Sequence, residues 1–379
     1  MLDKIRKILK KLLKSVKKRS SFSDKFGHKN KKYKFVHLMH NDKFNADYIG
    51  FINENFSPKD HLFIFYGGWS QFKIPDLENV LFCKSFKQFK KNKKCLESAK
   101  KIILHGLFQK KVVLFLDRNS DLLTKCSWVI WGGDLYHYKY RDKNPKEDLF
   151  EEVRKRVIGA IGEFTTVMKE DYDLARSWYG AKGSFIRCVI YPNALCHYDS
   201  VDIVNIKKTS PNILVGNSAA AENNHIEIFH RLQRHLDKIS KVICPLSYCD
   251  KNGYAQKVIE EGRKIFQDKF LPITDFMDKE QYYNMLLNDV DIAIFNHERQ
   301  QALGNIISLF AMGKKVYVSQ KSCLYEGLKF YNLRYFASED IESDSFFEIV
   351  QSDAVSNIKS IRSQFSFEVS KEQWGRILS

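Results

Sequence analysis

Short apolar runs recur along the chain, and each is closed by glycine or polar residues. They are "KFVHLMH" (34–40), "HLFIFYG" (61–67), "KIILHG" (101–106), "SWVIWGG" (127–133), "NILVGN" (212–217), "KVICP" (241–245), "DIAIF" (291–295) and "KVYVS" (315–319). Runs of this length, rich in β-branched and aromatic residues, predict buried strands. Between many of them lie longer amphipathic stretches, around 150–160, 224–238, 253–267, 279–288 and 303–312, whose apolar residues recur at helical period. Strand–helix alternation predicts parallel sheets covered by helices on both faces. The alternation occurs on both sides of the polar, proline-bearing segment 191–212, which reads as a linker. The expected organisation is an α/β chain of two Rossmann-like doubly wound domains, 34–195 and 205–379, facing a cleft.

The N-terminal stretch has a different pattern. In "MLDKIRKILKKLLKSVKKRS" the apolar residues Leu2, Ile5, Ile8, Leu9, Leu12, Leu13 and Val16 form one helical stripe, and nearly everything else is Lys or Arg. Residues 1–34 hold 14 Lys or Arg against two Asp, net +12, out of +17 for all 379 residues. Lysines at this density forbid spanning a bilayer. The stripe fits a helix lying in the interface of an anionic membrane surface, and a nucleic-acid partner, which needs no stripe, is not expected. Residues 1–33 are therefore read as a basic amphipathic membrane-surface helix and linker. No secretory leader is apparent. Eight cysteines, without a CxxC pair or a tight Cys/His cluster, suit reduced thiols better than disulfides or zinc.

In open α/β sheets ligands bind beyond the carboxyl ends of the strands, so the residues that follow each strand carry the chemistry. In the first half these are His40 and Asp42, then His105 and Gly106, then Trp131, Gly132, Asp134 and Tyr136. Aromatic rings beside a carboxylate and polar donors suit a carbohydrate, with ordinary packing or helix capping as the alternative for each. In the second half, Gly216, Asn217 and Ser218 form a small-residue loop ahead of a helix that carries His225. Such a loop offers free backbone N–H groups and a helix N-terminus to phosphate. It is neither GxGxxG nor a Walker loop. Pro245 and Tyr248 follow the next strand. The stretch "NHERQQALGNI" (296–306) then supplies Arg299, a planar donor fork suited to a diphosphate, the amides of Gln300 and Gln301, and Gly304 and Asn305 at a helix start. A solvated polar loop is the competing reading. "DYD" (171–173) has the letters of a metal motif but reads as solvated helix or loop.

The stretches "WVIWGGDLY", "ILVGNS…NNHIE", "VICPLSYCDKNGYAQKVIEEGRKIF" and "ERQQALGNIISLFAMGKKVYVS" together resemble the TDP-N-acetylfucosamine:lipid II N-acetylfucosaminyltransferases, glycosyltransferase family 56. The resemblance runs from about Lys34 to the C-terminal "WGRIL". It implies a GT-B fold with the acceptor in the first domain and the donor in the second. It also implies transfer of an acetamido-deoxyhexose from a dTDP-sugar to an undecaprenyl-pyrophosphate-linked saccharide, in enterobacterial common antigen assembly at the cytoplasmic face of the inner membrane. The expected donor residues are Gly216, Asn217, Ser218, His225, Pro245, Tyr248, Arg299, Gln300, Gln301, Gly304 and Asn305. The expected acceptor residues are His40, Asp42, Gly106, Trp131, Gly132 and Tyr136. Asp134 is the expected general base, with His105 or His40 as alternates, and no metal cofactor is expected. Two other readings remain: a GT-B transferase of lipopolysaccharide or capsule synthesis using another nucleotide sugar, and a non-catalytic basic membrane-binding protein.

Overall fold

The computed structural model describes residues 31–66, 72–191 and 210–379. The striped basic segment, from Leu2 to Val16, and most of the expected linker lie outside the described residues.

Two parallel sheets organise the chain. The first contains β1 (Phe35–Met39), β2 (His61–Tyr66), β3 (Val80–Cys83), β4 (Lys101–His105), β5 (Cys126–Val129), β6 (Glu163–Thr166) and β7 (Ser184–Arg187), in the order β3-β2-β1-β4-β5-β6-β7. The second contains β8 (Asn212–Val215), β9 (Lys241–Pro245), β10 (Phe270–Ile273), β11 (Ile292–Phe295), β12 (Lys315–Val318) and β13 (Phe336–Ala337), in the order β10-β9-β8-β11-β12-β13. Every strand pair is parallel. The central strands are buried along their whole length, which is why "FVHLM" and "IAIF" read as continuous apolar runs rather than alternating ones.

Each sheet reverses its order once, between β1 and β4 in the first and between β8 and β11 in the second. At these switch points the loops leave in opposite directions and a crevice opens beyond the strand ends. The residues that follow β1 and β4, and β8 and β11, are those singled out by sequence.

Apolar clusters lie on both faces of each sheet. One of those on the first sheet is completed by Trp374 and Ile377, from the last helix, Phe367–Ile377. Trp374 Nε1 donates to the Ile190 carbonyl at 3.2 Å, and Ser370 Oγ donates to the Val189 carbonyl at 2.9 Å. The last helix therefore packs on the first sheet, although chain order groups it with residues 205–379.

Candidate active site

In the second sheet, β8 is followed by Gly216 at φ +70°, the left-handed region. A Cβ there would stand 2.4 Å from His225 Nε2. Only glycine permits this turn, which lets the next residues fold over the start of the helix His225–Leu232. The loop is fastened from within. Asn223 Oδ1 accepts from the Asn217 amide at 3.2 Å, and Asn223 Nδ2 donates to the Ser218 and Ala220 carbonyls. Tyr248 closes it from outside: its carbonyl accepts from Ala219 N and its hydroxyl from Asn217 Nδ2, each at 2.9 Å. Pro245 is the buried last residue of β9, in register with Ile273 of β10.

"NHERQQALGNI" follows β11 on the other side of the switch point, and its polar residues have separate tasks. Asn296 Nδ2 donates to Glu227 at 3.0 Å, and the Asn296 carbonyl accepts from Asn224 Nδ2 at 3.0 Å, which ties this loop to the helix His225–Leu232. His297 is fully buried. Glu298 reaches across to Lys139 of the first domain at 3.0 Å. Arg299 keeps its guanidinium at the crevice, with Nε 3.9 Å from Glu222. Gln300 touches the first domain: a Cβ on Gly132 would stand 2.6 Å from the Gln300 carbonyl oxygen. Ala302 is a non-glycine residue at φ +58°, a strained geometry, and starts the helix Leu303–Ala311. Asn305 is turned sideways onto the Tyr282 hydroxyl at 2.9 Å, and the Gly304 carbonyl accepts from Ser308 Oγ.

Five buried side-chain atoms around these loops have no protein hydrogen-bond partner among the described residues: Asn217 Oδ1, His225 Nε2, His297 Nδ1 and Nε2, and Gln301 Nε2. A buried polar atom without a partner costs about 1–3 kcal/mol. Such atoms gathered at one sheet edge mark a place where a ligand completes the bonding. Burial drives the His225 pKa down to about 3, so the ring is neutral.

In the first sheet the expected general base is not available, and this corrects the sequence reading. Asp134 is 1% exposed. Its Oδ2 accepts from the Leu107 amide at 2.8 Å and from Trp128 Nε1 at 2.7 Å. Its Oδ1 accepts from the amides of Trp131 and Leu135 at 3.0 Å each. Four donors occupy both oxygens, and no lone pair is directed at a substrate. Asp134 instead fixes the loops after β4 and β5. Tyr136 is likewise a packing residue, buried with its ring 5.2 Å from that of Trp178. Gly106, at φ +81°, is buried behind Phe108, which a Cβ would strike at 2.5 Å.

His105 is also withdrawn, into a buried hydrogen-bonded row. Its Nδ1 lies 2.7 Å from the Tyr191 hydroxyl and its Nε2 3.3 Å from His37 Nδ1, while His37 Nε2 lies 3.0 Å from His61 Nδ1. Burial lowers His105 to about 3, His61 to about 4 and His37 well below its usual value. These histidines sit one each on β4, β2 and β1, and the signal was present as a histidine within each apolar run.

His40, just after β1, keeps an accepting ring nitrogen. Its Nδ1 lies 3.3 Å from the His105 carbonyl. A carbonyl only accepts, so Nδ1 carries the proton and Nε2 keeps its lone pair. Burial also lowers the His40 pKa. Its ring stands edge-on to Phe108 and Trp131, at 4.8 and 5.0 Å, and Tyr191 and Phe44 extend this aromatic floor. Asp42 caps its own turn, accepting from the Phe44 amide at 3.3 Å. Lys43 and Tyr191 were missed by sequence reasoning. The Lys43 amine lies 4.9 Å from the Tyr248 ring across the cleft, and desolvation lowers its pKa. "DYD" is not a solvated stretch either: Asp171 is 1% exposed, 3.4 Å from Cys323 Sγ of the second domain, and burial raises its pKa to about 7.

A family model described as "4-alpha-L-fucosyltransferase glycosyl transferase group 56" matches residues 70–379. The chain belongs to glycosyltransferase family 56. Similar solved structures include a glycosyltransferase from Rickettsia africae, at 13% identity over 92% of this chain and 98% of that one, with TM-score 0.61. Sucrose-phosphate synthase of Thermosynechococcus elongatus is similar at 10% identity over 91% and 98%, with TM-score 0.64. HepE of Anabaena, solved with UDP and glucose, is similar at 11% identity over 91% and 99%, with TM-score 0.63. These likenesses show the fold, which is GT-B. A family 56 chain with this fold is a glycosyltransferase.

Proposed function

We propose that this family 56 transferase moves an acetamido-deoxyhexose from a dTDP-sugar to a polyprenyl-pyrophosphate-linked saccharide at the cytoplasmic face of the inner membrane. One observation carries the reading. The Gly216–Ser218 loop and Arg299, on either side of the second switch point, face the floor of His40 and Trp131 across the Gly132–Gln300 contact. A donor diphosphate fits the first set and a saccharide the second.

Arg299, the Ser218 amide and the helix His225–Leu232 meet the charge that develops on the leaving diphosphate, because the Gly216 and Asn217 amides are held by the Ile294 carbonyl and Asn223 Oδ1. His40 Nε2 takes the proton of the attacking hydroxyl. Trp131 and Tyr191 offer ring faces to the acceptor sugar. The leaving group is neutralised by protein groups, so transfer persists in excess chelator. The HepE structure holds UDP and glucose, which supports a nucleotide-sugar donor in a fold of this kind.

The test is a titration of the protein with dTDP, UDP and GDP, repeated on Arg299→Ala. The expected result is selective dTDP binding, weakened about tenfold or more in the variant, as for loss of a charge-assisted hydrogen bond. Preference for UDP or GDP overturns the donor and favours a lipopolysaccharide or capsule transferase. Binding of no nucleotide overturns the assignment of the site.

A further inference from the structure

The charge of the described part of the chain is as uneven as that of its N-terminus. Residues 84–111 contain ten lysines and one glutamate, net +9. With +12 in residues 1–34, the rest of the +17 chain sums to −4. The second basic block therefore stands out against an acidic remainder.

Eight of these ten lysines lie on the exposed helices and loops between β3 and the start of the helix after β4, while Lys100 and Lys101, the latter paired with Glu163, stand at the other end of β4. Lys84 follows the carboxyl end of β3, and Lys110 and Lys111 open the helix Lys110–Asp117 after β4, so all three lie toward the cleft edge of the first sheet. Lys87 and Lys90 lie on the helix Phe86–Lys90, and Lys93 and Lys94 on the helix Lys93–Ser98. The ring of Phe115 packs on Phe89 at 5.2 Å and on Phe86 at 6.5 Å, which holds the first of these helices against Lys110–Asp117. Lys84, Lys87, Lys90, Lys91, Lys93, Lys94, Lys110 and Lys111 are all exposed. Glu97 and Glu147 pair with Lys93 and Lys110.

Apolar side chains stand on the same face. Phe108 is 44% exposed and Leu114 36%. Phe108 also touches the crevice, its ring 4.8 Å from His40. The basic face thus continues into the mouth of the acceptor site.

We propose that this face docks on an anionic lipid surface, with the lysines over the headgroups and Phe108 and Leu114 entering the interface. Lysine heads over an anionic leaflet and apolar side chains reaching below it are the two attractions such a surface offers. A nucleic-acid phosphate backbone would use the lysines but leave Leu114 in water. The inference rests on the proposed lipid-linked acceptor. It adds a direction to that reading: the mouth of the first crevice faces the bilayer from which a polyprenyl carrier presents its sugar. It does not use residues 1–30, so two separate basic elements hold the enzyme to the membrane.

The test is hydrogen–deuterium exchange on the full chain with vesicles of phosphatidylglycerol and phosphatidylcholine, against pure phosphatidylcholine vesicles and an RNA duplex at equal salt. Slowed exchange at 84–94 and 108–114 with anionic vesicles alone is expected. Slowing confined to residues before 31, or equal slowing by neutral vesicles, overturns the proposal; slowing of 84–114 by RNA and not by vesicles replaces lipid with nucleic acid. The variant Lys87→Glu, Lys91→Glu, Lys94→Glu, Lys111→Glu keeps dTDP affinity, which reports folding and the donor site separately. Each charge removed lowers vesicle partitioning about fivefold. Unchanged partitioning and unchanged protection in a folded variant refute the docking face.

Discussion

Replacing Asp134 by Asn separates a structural carboxylate from a catalytic base. The side chain keeps its shape, but one oxygen becomes an NH2. If that group takes the Oδ2 position it faces the Leu107 amide and Trp128 Nε1; at the Oδ1 position it faces the amides of Trp131 and Leu135. Either way two charge-assisted hydrogen bonds become donor–donor contacts in a site 1% exposed to solvent. Hydrogen bonds to charged groups contribute about 1.5–3 kcal/mol each, so the variant loses roughly 3–6 kcal/mol. That is a large part of the ~5–15 kcal/mol that holds a typical domain. Urea unfolding followed by tryptophan fluorescence and far-UV dichroism reads this directly. Activity is then expressed per folded molecule at low temperature, where it stays within about tenfold of the parent. A variant as stable as the parent but inactive would falsify the structural assignment and restore Asp134 as the base.

Other perturbations give distinct outcomes. Gly132→Ala puts a methyl 2.6 Å from the Gln300 carbonyl at a residue with φ +76°, so it obstructs domain contact. Turnover falls while dTDP affinity, measured by calorimetry, stays within about twofold, because the donor loops are on the other domain. Gly216→Ala strains a φ of +70° and strikes His225 Nε2, so it abolishes dTDP binding and costs about 1–3 kcal/mol in thermal or urea unfolding. His61, held at about 4, and His105, His225 and His297, held at about 3, are neutral in the folded chain and protonate more readily once unfolded. The unfolded state then binds more protons below pH 6.5, and stability falls as pH drops, by up to about 1.4 kcal/mol per pH unit for each histidine until its folded pKa is reached. A melting temperature unchanged between pH 7.5 and 5 contradicts this. His40→Gln lowers turnover by about 10²-fold or more with dTDP affinity intact, and its pH–rate profile loses the acidic limb.

The strands that sequence made legible are those at the centres of the sheets. β1, β2, β4, β8 and β11 are buried on both faces and therefore appear as unbroken apolar runs. β6 reads "EFTT" and β7 "SFIR", one mixed in polarity and the other half-exposed at the sheet edge, so neither stands out from loop. In the second sheet, β10 is an edge strand that contains Pro272, and β13, at the other edge, has two residues. The loops after β8 and β11 were legible because glycine, asparagine and arginine gathered after buried strands stand out from packing residues. The place of Asp134 was not, because an aspartate that accepts four internal donors has the same letter as one that abstracts a proton. The difference lies in Leu107, Trp128 and Trp131, whose N–H groups converge on Asp134 only after β4 and β5 pair.

The return of the last helix to the first sheet has a mechanical consequence. The chain leaves the first domain after Tyr191 and comes back through Ser366 into the helix anchored by Trp374. The chain therefore passes between the two domains twice. Any separation of the domains has to carry the last helix along or pull Trp374 from its seat beneath β1 and β4. The contact of Gly132 with Gln300 thus belongs to a pair of domains clasped a second time, through the C-terminal helix.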